Sequence, residues 1–426
     1  MKTVLIIGSG AGGSTIANEL ASDFEVTVLE AGKPFTPFKG NFALLEKLRY
    51  SRLMRDERMI QWLFPAMKVR KTLQNMVLVT GSATGGSTVL STGTALRNDT
   101  ALRAIGLDLD EEFAELDAEI PVTVQHEKLW SPMTKACFKV CADLELFPAP
   151  LGKMGNFNNC KKCGHCLLGC PHDIKWDSRQ ILQRALQKNA RLITNARVEN
   201  LIRQGNTITA VKARVGRKKK IYKSDIVILS AGGLDTPLLL QSAGVNCPST
   251  LSVDPVYCQA ALIENSNQHR GLCMPFSIRR QGYMIAPYFD TLSFFFNKKW
   301  LHSSNHIFSL MIKLADENSG KIDKKGVDKG LGTIDKKYLG EAKELCRDIL
   351  KTMGAKEVFD GTLNAGHPAG MLPLLPEHIE DMHHPALPEN CYVADATLLP
   401  RSLGSPTILT IMAVAKRVAR KIKDIK

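Results

Sequence analysis

The residues most able to do chemistry fall in three places. The densest is Cys160-Lys-Lys-Cys163-Gly-His-Cys166-Leu-Leu-Gly-Cys170-Pro171. Its spacing, C-x2-C-x2-C-x3-C-P, lets one loop wrap a [4Fe–4S] cluster, whose irons take thiolate ligands. Gly164 and Gly169 permit the tight turns, and Pro171 ends the wrap. Either Cys170 closes the cluster or a remote cysteine does. Zinc is the alternative, held by all four cysteines or by three of them with His165 or His172. The bland alternative is four free thiols in a loop.

The second place is Gly8-Ser9-Gly10-Ala11-Gly12-Gly13, with G-x-G-x-x-G spacing at Gly8, Gly10 and Gly13. Gly8 suits a tight turn, Gly10 a close approach to a pyrophosphate, and Gly13 close helix–strand packing. Glu30, at the end of the following strand, can accept hydrogen bonds from ribose hydroxyls and would repel a 2′-phosphate. The stretch predicts dinucleotide binding and does not choose between FAD and NAD. The third place is His367, between Gly366 and Gly370. A base near neutral pH is most often histidine, and small neighbours permit close approach to a substrate. The alternative is a capping or structural histidine.

The elements that must position these groups follow from the apolar pattern. Val4–Ile7 and Glu25–Leu29 read as buried parallel strands on either side of a helix over Ala11–Ala21. Val77–Gly81 runs into the loop Ser82-Ala83-Thr84-Gly85-Gly86-Ser87-Thr88, rich in backbone N–H groups that suit a diphosphate or a ring edge. Ile226–Leu229 is another buried strand before a helix at Pro237–Ser242. Helices are expected at Asp108–Ile120, Ser131–Leu146, Ser178–Asn189, Glu341–Met353 and Ile408–Ile422, with an amphipathic segment around Leu44–Met54. Residues 33–76 otherwise read as helix and loop. Tyr283–Phe289 and Leu292–Phe296 suggest an antiparallel sheet. Cys137 and Cys141 share a helix face and read as packing, with a remote-ligand role as the alternative. His302 and His306 receive no role, and Glu377-His378 with His383-His384 read as a solvated loop, with a metal site as the alternative.

The chain has 426 residues and a net charge of +14. That length suggests two domains. Basic runs at Arg217–Lys220 and Lys321–Lys337 read as solvated faces, or as attraction for an acidic carrier or anionic substrate. No nucleic-acid module and no apolar run of membrane-spanning length is present. The first strand begins within a few residues of Met1, so the expectation is a cytoplasmic protein, in which 11 cysteines point to thiols or ligands, not disulfides.

In order, GSGAGG with Glu30, GSATGGST at 81–88, NARV at 195–198, VILSAGGLDTP at 227–237, HPAGM at 367–371 and YVADATLLPRSLGSPTILTIMAVAKRVA at 392–419 resemble the glucose–methanol–choline (GMC) oxidoreductases. This chain looks like a variant carrying a ferredoxin-like cysteine run. The resemblance implies FAD as cofactor and an α/β fold: an FAD-binding, doubly wound Rossmann-like domain with an interleaved α+β substrate domain on an antiparallel sheet. Residues 1–100, 177–246 and 385–426 would form the three parts of the FAD-binding domain. Residues 101–150 would be a helical region, 151–176 a cluster-binding insert and 247–384 the substrate domain. The ADP half would meet Gly8, Gly10, Gly13 and Glu30. Gly85, Gly86 and Ser87 would lie near the pyrophosphate or ring, the Val198 backbone near adenine, and Asp395 near the diphosphate or ribityl chain.

The activity the resemblance implies is oxidation of a CH–OH group, with hydride passing to flavin N5 and His367 as base. Family members carry a second His or Asn before the last helix. Pro406 falls there without a gap, and Ser405 after a small shift, so Ser405 is the candidate partner. Most family oxidases lack the cysteine run, although long-chain alcohol relatives look similar there, down to a following lysine, here Lys175. The leading expectation is a dehydrogenase whose electrons leave through a cluster at Cys160, Cys163, Cys166 and Cys170 to an external carrier such as an acidic ferredoxin. The alternatives are a reductase running the same parts backwards, and a non-catalytic flavin redox sensor with zinc or a labile cluster.

Overall fold

Strands buried on both faces need continuous apolar runs, and this chain has several. In the computed structural model, which describes residues 1–40, 42–50 and 56–425, they build a five-stranded parallel sheet. Its order is Cys391–Val393, Ile226–Leu229, Thr3–Ile7, Glu25–Leu29, Arg191–Ile193. The first and last pieces of the chain thus share one sheet. The helices Ala11–Leu20 and Ile408–Asp424 pack against each other on it. Asp110–Glu119 lies against the last helix, where Lys416, Arg417 and Arg420 meet Glu19, Glu112, Glu115 and Glu119. This is the α/β, Rossmann-like half expected from the sequence.

The second half is a largely antiparallel sheet. Its order is Met67–Lys71, Val77–Gly81, Asn364–Ala365, Pro255–Leu262, Ile307–Leu314, Tyr283–Pro287, Phe276–Arg280, Ala149–Pro150. The long helix Thr333–Thr352 covers one face. Ile307–Leu314 is buried along its whole length, as the centre of a covered sheet must be.

Several local expectations are corrected. Met67–Lys71 lies in the stretch read as helix and loop, but alternation of Met67 and Val69 with basic residues makes it a strand. Leu292–Phe296 is part of a helix, Thr291–Phe296, because the Asp290 side chain accepts the Leu292 N–H and caps it. The helix expected at Glu341 begins at Thr333, where Asp335 accepts the Gly332 N–H. The run Lys321–Lys337 is not one solvated face. It includes a hairpin, Lys321–Asp323 with Gly326–Asp328, and a buried Lys329 paired with Asp316 at 2.8 Å. The amphipathic segment appears as Phe42–Tyr50, while residues 51–55 lie outside the described ones. Cys137 and Cys141 are fully buried in an apolar cluster, as expected of packing. No described helix is long and apolar enough to cross a membrane.

Candidate active site

The two glycine loops stand face to face. Gly8 has φ +105°, and a Cβ there would sit 2.2 Å from the Ser230 carbonyl oxygen. A Cβ on Gly13 would sit 2.0 Å from the Gly8 carbonyl oxygen, so strand and helix touch at glycine. On Gly10 a Cβ would meet nothing closer than the Gly86 Cα at 3.9 Å, which leaves that position open to a ligand. Gly85 and Gly86 have φ +90° and +55°, and the Gly85 N–H donates to Ser9 Oγ at 3.2 Å. No side chain caps the helix at Ala11, so its first N–H groups remain for an anion.

Around this cradle the predicted residues divide. Glu30 accepts the Ser9 N–H and Oγ–H and the Gly32 N–H, so its carboxylate also braces the loop itself. Ser87 Oγ accepts the Gly81 N–H. The chain passes beside Glu30 at Asn195 and Ala196, two residues before Val198, which lies in the strand Ala196–Gln204. Asp395 is buried, and its carboxylate accepts the Gly232 and Thr397 N–H groups and the Thr236 hydroxyl. Burial pushes it above the usual carboxylate range. Asp395 therefore locks the turn that closes on the cradle.

His367 lies where the two sheets meet. The strand Asn364–Ala365 pairs with Pro255–Leu262 and with Val77–Gly81, the strand that leads into the second glycine loop. Gly370 and Leu372 donate to the Ala396 and Thr397 carbonyls, which ties this turn to Asp395. His367 Nδ1 lies 3.1 Å from Asp254 Oδ2, and the imidazole is 31% exposed. Asp254 also accepts Lys313 Nζ at 3.3 Å, the Gly404 N–H at 3.0 Å and the Ser402 hydroxyl. It holds φ +50°, an uncommon conformation for a non-glycine residue. Burial opposes its charge, but Lys313 and His367 hold its carboxyl well below the usual range. Burial, then the charge of Lys313, lowers the His367 pKa against the pull of Asp254.

The Ser405 backbone adds a last, upward influence on the His367 pKa. The Ser405 hydroxyl accepts from Asn98 Nδ2 at 2.7 Å. Sequence reasoning missed both Asp254 and Asn98. Asp254 carried one faint signal: an acid in the apolar stretch Leu251-Ser-Val253-Asp254-Pro255.

The cysteine run forms a separate site. Cys160, Cys163, Cys166 and Cys170 line one cavity, with Lys161, Lys162, His172, Ile174 and Lys175 among its walls. Gly164 and Gly169 have φ +73° and +84°, and a Cβ on Gly164 would sit 1.7 Å from the His269 carbonyl oxygen. The Lys162 N–H points at Cys160 Sγ at 3.4 Å. Burial pushes the Cys166 thiol up to about 11, so any metal must displace its proton. Tetrahedral zinc with Zn–S near 2.3 Å needs sulfurs under about 4 Å apart. Among the described residues no three of these sulfurs lie within 4.8 Å of one another. Three carboxylates that do, from Glu19, Glu115 and Glu119, surround the Lys416 ammonium. His165 packs its ring on Phe38 and is not among the residues lining the cavity. The segment Cys166–Leu168 lies directly against Gly86–Leu90, so cavity and cradle adjoin.

A parallel α/β sheet with opposed glycine loops defines a dinucleotide-binding fold. The GMC oxidoreductase family model matches residues 2–256. The chain belongs to that family, for which FAD is the typical cofactor, and the open Gly10 cradle fits its pyrophosphate. An uncharacterised protein of Methanocaldococcus jannaschii is 26% identical over 428 residues, 99% of this chain and 100% of that one. A long-chain-alcohol oxidase of Arabidopsis thaliana is 25% identical over 288 residues, 59% of this chain and 36% of that one. The crystal structure of pyridoxine 4-oxidase from Mesorbium loti shares the fold, with TM-score 0.74 at 16% identity, covering 100% of this chain and 99% of that one.

Proposed function

We propose that this chain is an FAD-dependent dehydrogenase that oxidises a CH–OH group, with electrons leaving through a [4Fe–4S] cluster to an external one-electron carrier. The observation that carries the reading is His367, held through Nδ1 by buried Asp254 at the edge of the glycine cradle. Bound FAD supplies a hydride acceptor at N5. With Nδ1–H on Asp254, Nε2 is left as the acceptor for the substrate hydroxyl proton. Its lowered pKa keeps it unprotonated near pH 7. Oxidation to a carbonyl thus releases one proton to His367 and two electrons as hydride. Ser405, held by Asn98, is the second polar group toward the substrate oxygen. Gly8, Gly10, Gly13 and Glu30 hold the ADP half. Gly85, Gly86 and Ser87, the Val198 backbone and the turn at Asp395 hold the rest.

Two relatives are named for hydroxyl-bearing substrates, a long-chain alcohol and pyridoxine, which supports a CH–OH donor here. The C-x2-C-x2-C-x3-C-P spacing supports a cluster. Exposed Lys161 and Lys162 on the cavity rim suit an acidic carrier.

The test is anaerobic mixing of the FAD-loaded enzyme with primary alcohols of graded chain length, followed by flavin absorbance. The expected result is bleaching without added carrier, slowed about 100- to 10,000-fold in His367→Ala. Flavin that is reduced only by a reduced carrier, with no alcohol oxidised, would overturn the oxidative reading.

A further inference from the structure

Two lysines lie buried between the cysteine cavity and the glycine cradle. Lys153 is fully buried, and Lys175 is 2% exposed. The Lys175 ammonium donates to the Thr88, Val89 and Ser91 carbonyls at 3.2, 2.9 and 2.9 Å. The Lys153 ammonium donates to the Thr92 and Cys273 carbonyls and to Thr94 Oγ1 at 3.4, 2.6 and 2.9 Å. Together they clamp the strip Thr88–Thr94 that leaves the second glycine loop. Among the described residues neither has a carboxylate within ion-pair distance. Of the two carboxylates two residues away from Lys175, Asp173 is exposed and Asp177 is bound at both oxygens by Arg179.

A buried ammonium with neutral partners only is costly, because the attraction that should offset its desolvation is missing. Asp177 supplies part of it to Lys175 from beyond ion-pair distance while bound to Arg179, and the other groups able to supply it are thiols: Cys166 and Cys170 toward Lys175, Cys273 and Cys166 toward Lys153. We infer that Lys153 and Lys175 are the fixed counter-charges of the thiolate-ligated cluster, and that they raise its potential so that it accepts electrons from the flavin side. The inference rests on the cluster reading above. Four thiolates around a [4Fe–4S]2+ core leave a double negative charge, which two ammonium groups balance. Each one-electron reduction adds negative charge to the cluster, and both lysines favour the reduced state. Lys175 also joins the two centres physically, since its stem lines the cysteine cavity and its head holds the cradle strip.

The experiment uses anaerobically purified, FAD-loaded wild type, Lys153→Met, Lys175→Met and Lys175→Arg. Iron, zinc and acid-labile sulfide are measured per chain, and the cluster is titrated redox-potentiometrically with EPR detection. The expected result is a more negative midpoint potential in both Met variants, with Lys175→Arg close to wild type; flavin content, read in the same samples, reports any loosening of the cradle strip. Cluster loss in Lys175→Met alone, retained in Lys175→Arg, also supports the counter-charge role. Wild-type iron with an unchanged potential in both Met variants would overturn it and leave the cluster reading intact. Loss in Lys175→Arg as well, with FAD retained, would also overturn it. Wild type that holds zinc, or neither iron nor sulfide, would overturn the cluster reading itself.

Discussion

Two pairs of buried lysines differ in what faces them. Beside His367, Lys313 meets Asp254 and Lys329 meets Asp316, and the second pair is fully buried on both sides. Beside the cysteines, the hydrogen bonds of Lys153 and Lys175 among the described residues go only to carbonyls and one hydroxyl. The first pair is electrostatically complete within the polypeptide. The second is complete only with an anion that the polypeptide does not supply as a carboxylate. The His367 site is therefore pre-organised by folding alone, whereas at the cysteine site the proposed cluster would balance the charge of the lysines.

The sharpest break of that comparison is in stability. Asp254→Ala strands Lys313 as an uncompensated buried charge, so a loss of about 3–5 kcal/mol is expected in denaturant unfolding. Lys175→Met strands no carboxylate. Cluster removal by a chelator should lower the melting temperature of wild type, and lower that of Lys175→Met by less, since one unbalanced ammonium is gone. Equal drops would remove the distinction between the two pairs.

A smaller effect concerns pH. The lowered pKa of His367 places the acidic limb of flavin reduction below the ordinary histidine value of about 6.5. The rate should hold on a plateau above that and fall only on the acid side, when Nε2 takes a proton before substrate can give one. Asp254 adds an acid limb in stability. Its folded pKa lies below the unfolded value of about 3.9, so its contribution is complete above that value and drains as pH falls toward the folded one. Asp254→Asn should flatten that part of an acid-unfolding curve. The smallest effect is at the cavity rim. Lys161→Glu with Lys162→Glu should leave flavin reduction by alcohol unchanged and slow electron delivery to an acidic carrier, mostly at low salt.

Much of this was legible in the sequence because it depends on local spacing. Gly8, Gly10 and Gly13 have the geometry their positions imply, and Cys160 to Cys170 encircle one cavity as their short gaps require. The partners were not legible, because they come from far along the chain. Asp254 reaches His367 across 113 residues, and Asn98 reaches Ser405 across 307. Neither carries periodicity or a motif, and only the closing of the two sheets brings them together. Leu292–Phe296 misled for another reason: consecutive aromatics suit a strand, and the single cap at Asp290 decided for a helix.

The proposed enzyme carries a flavin and an iron–sulfur cluster on one chain. The most direct measurement is anaerobic purification followed by a visible spectrum and iron, sulfide and zinc analysis. The account predicts flavin bands over a broad cluster absorbance, with about four irons and four sulfides per chain. Stoichiometric zinc without sulfide, beside an ordinary flavin spectrum, would contradict it.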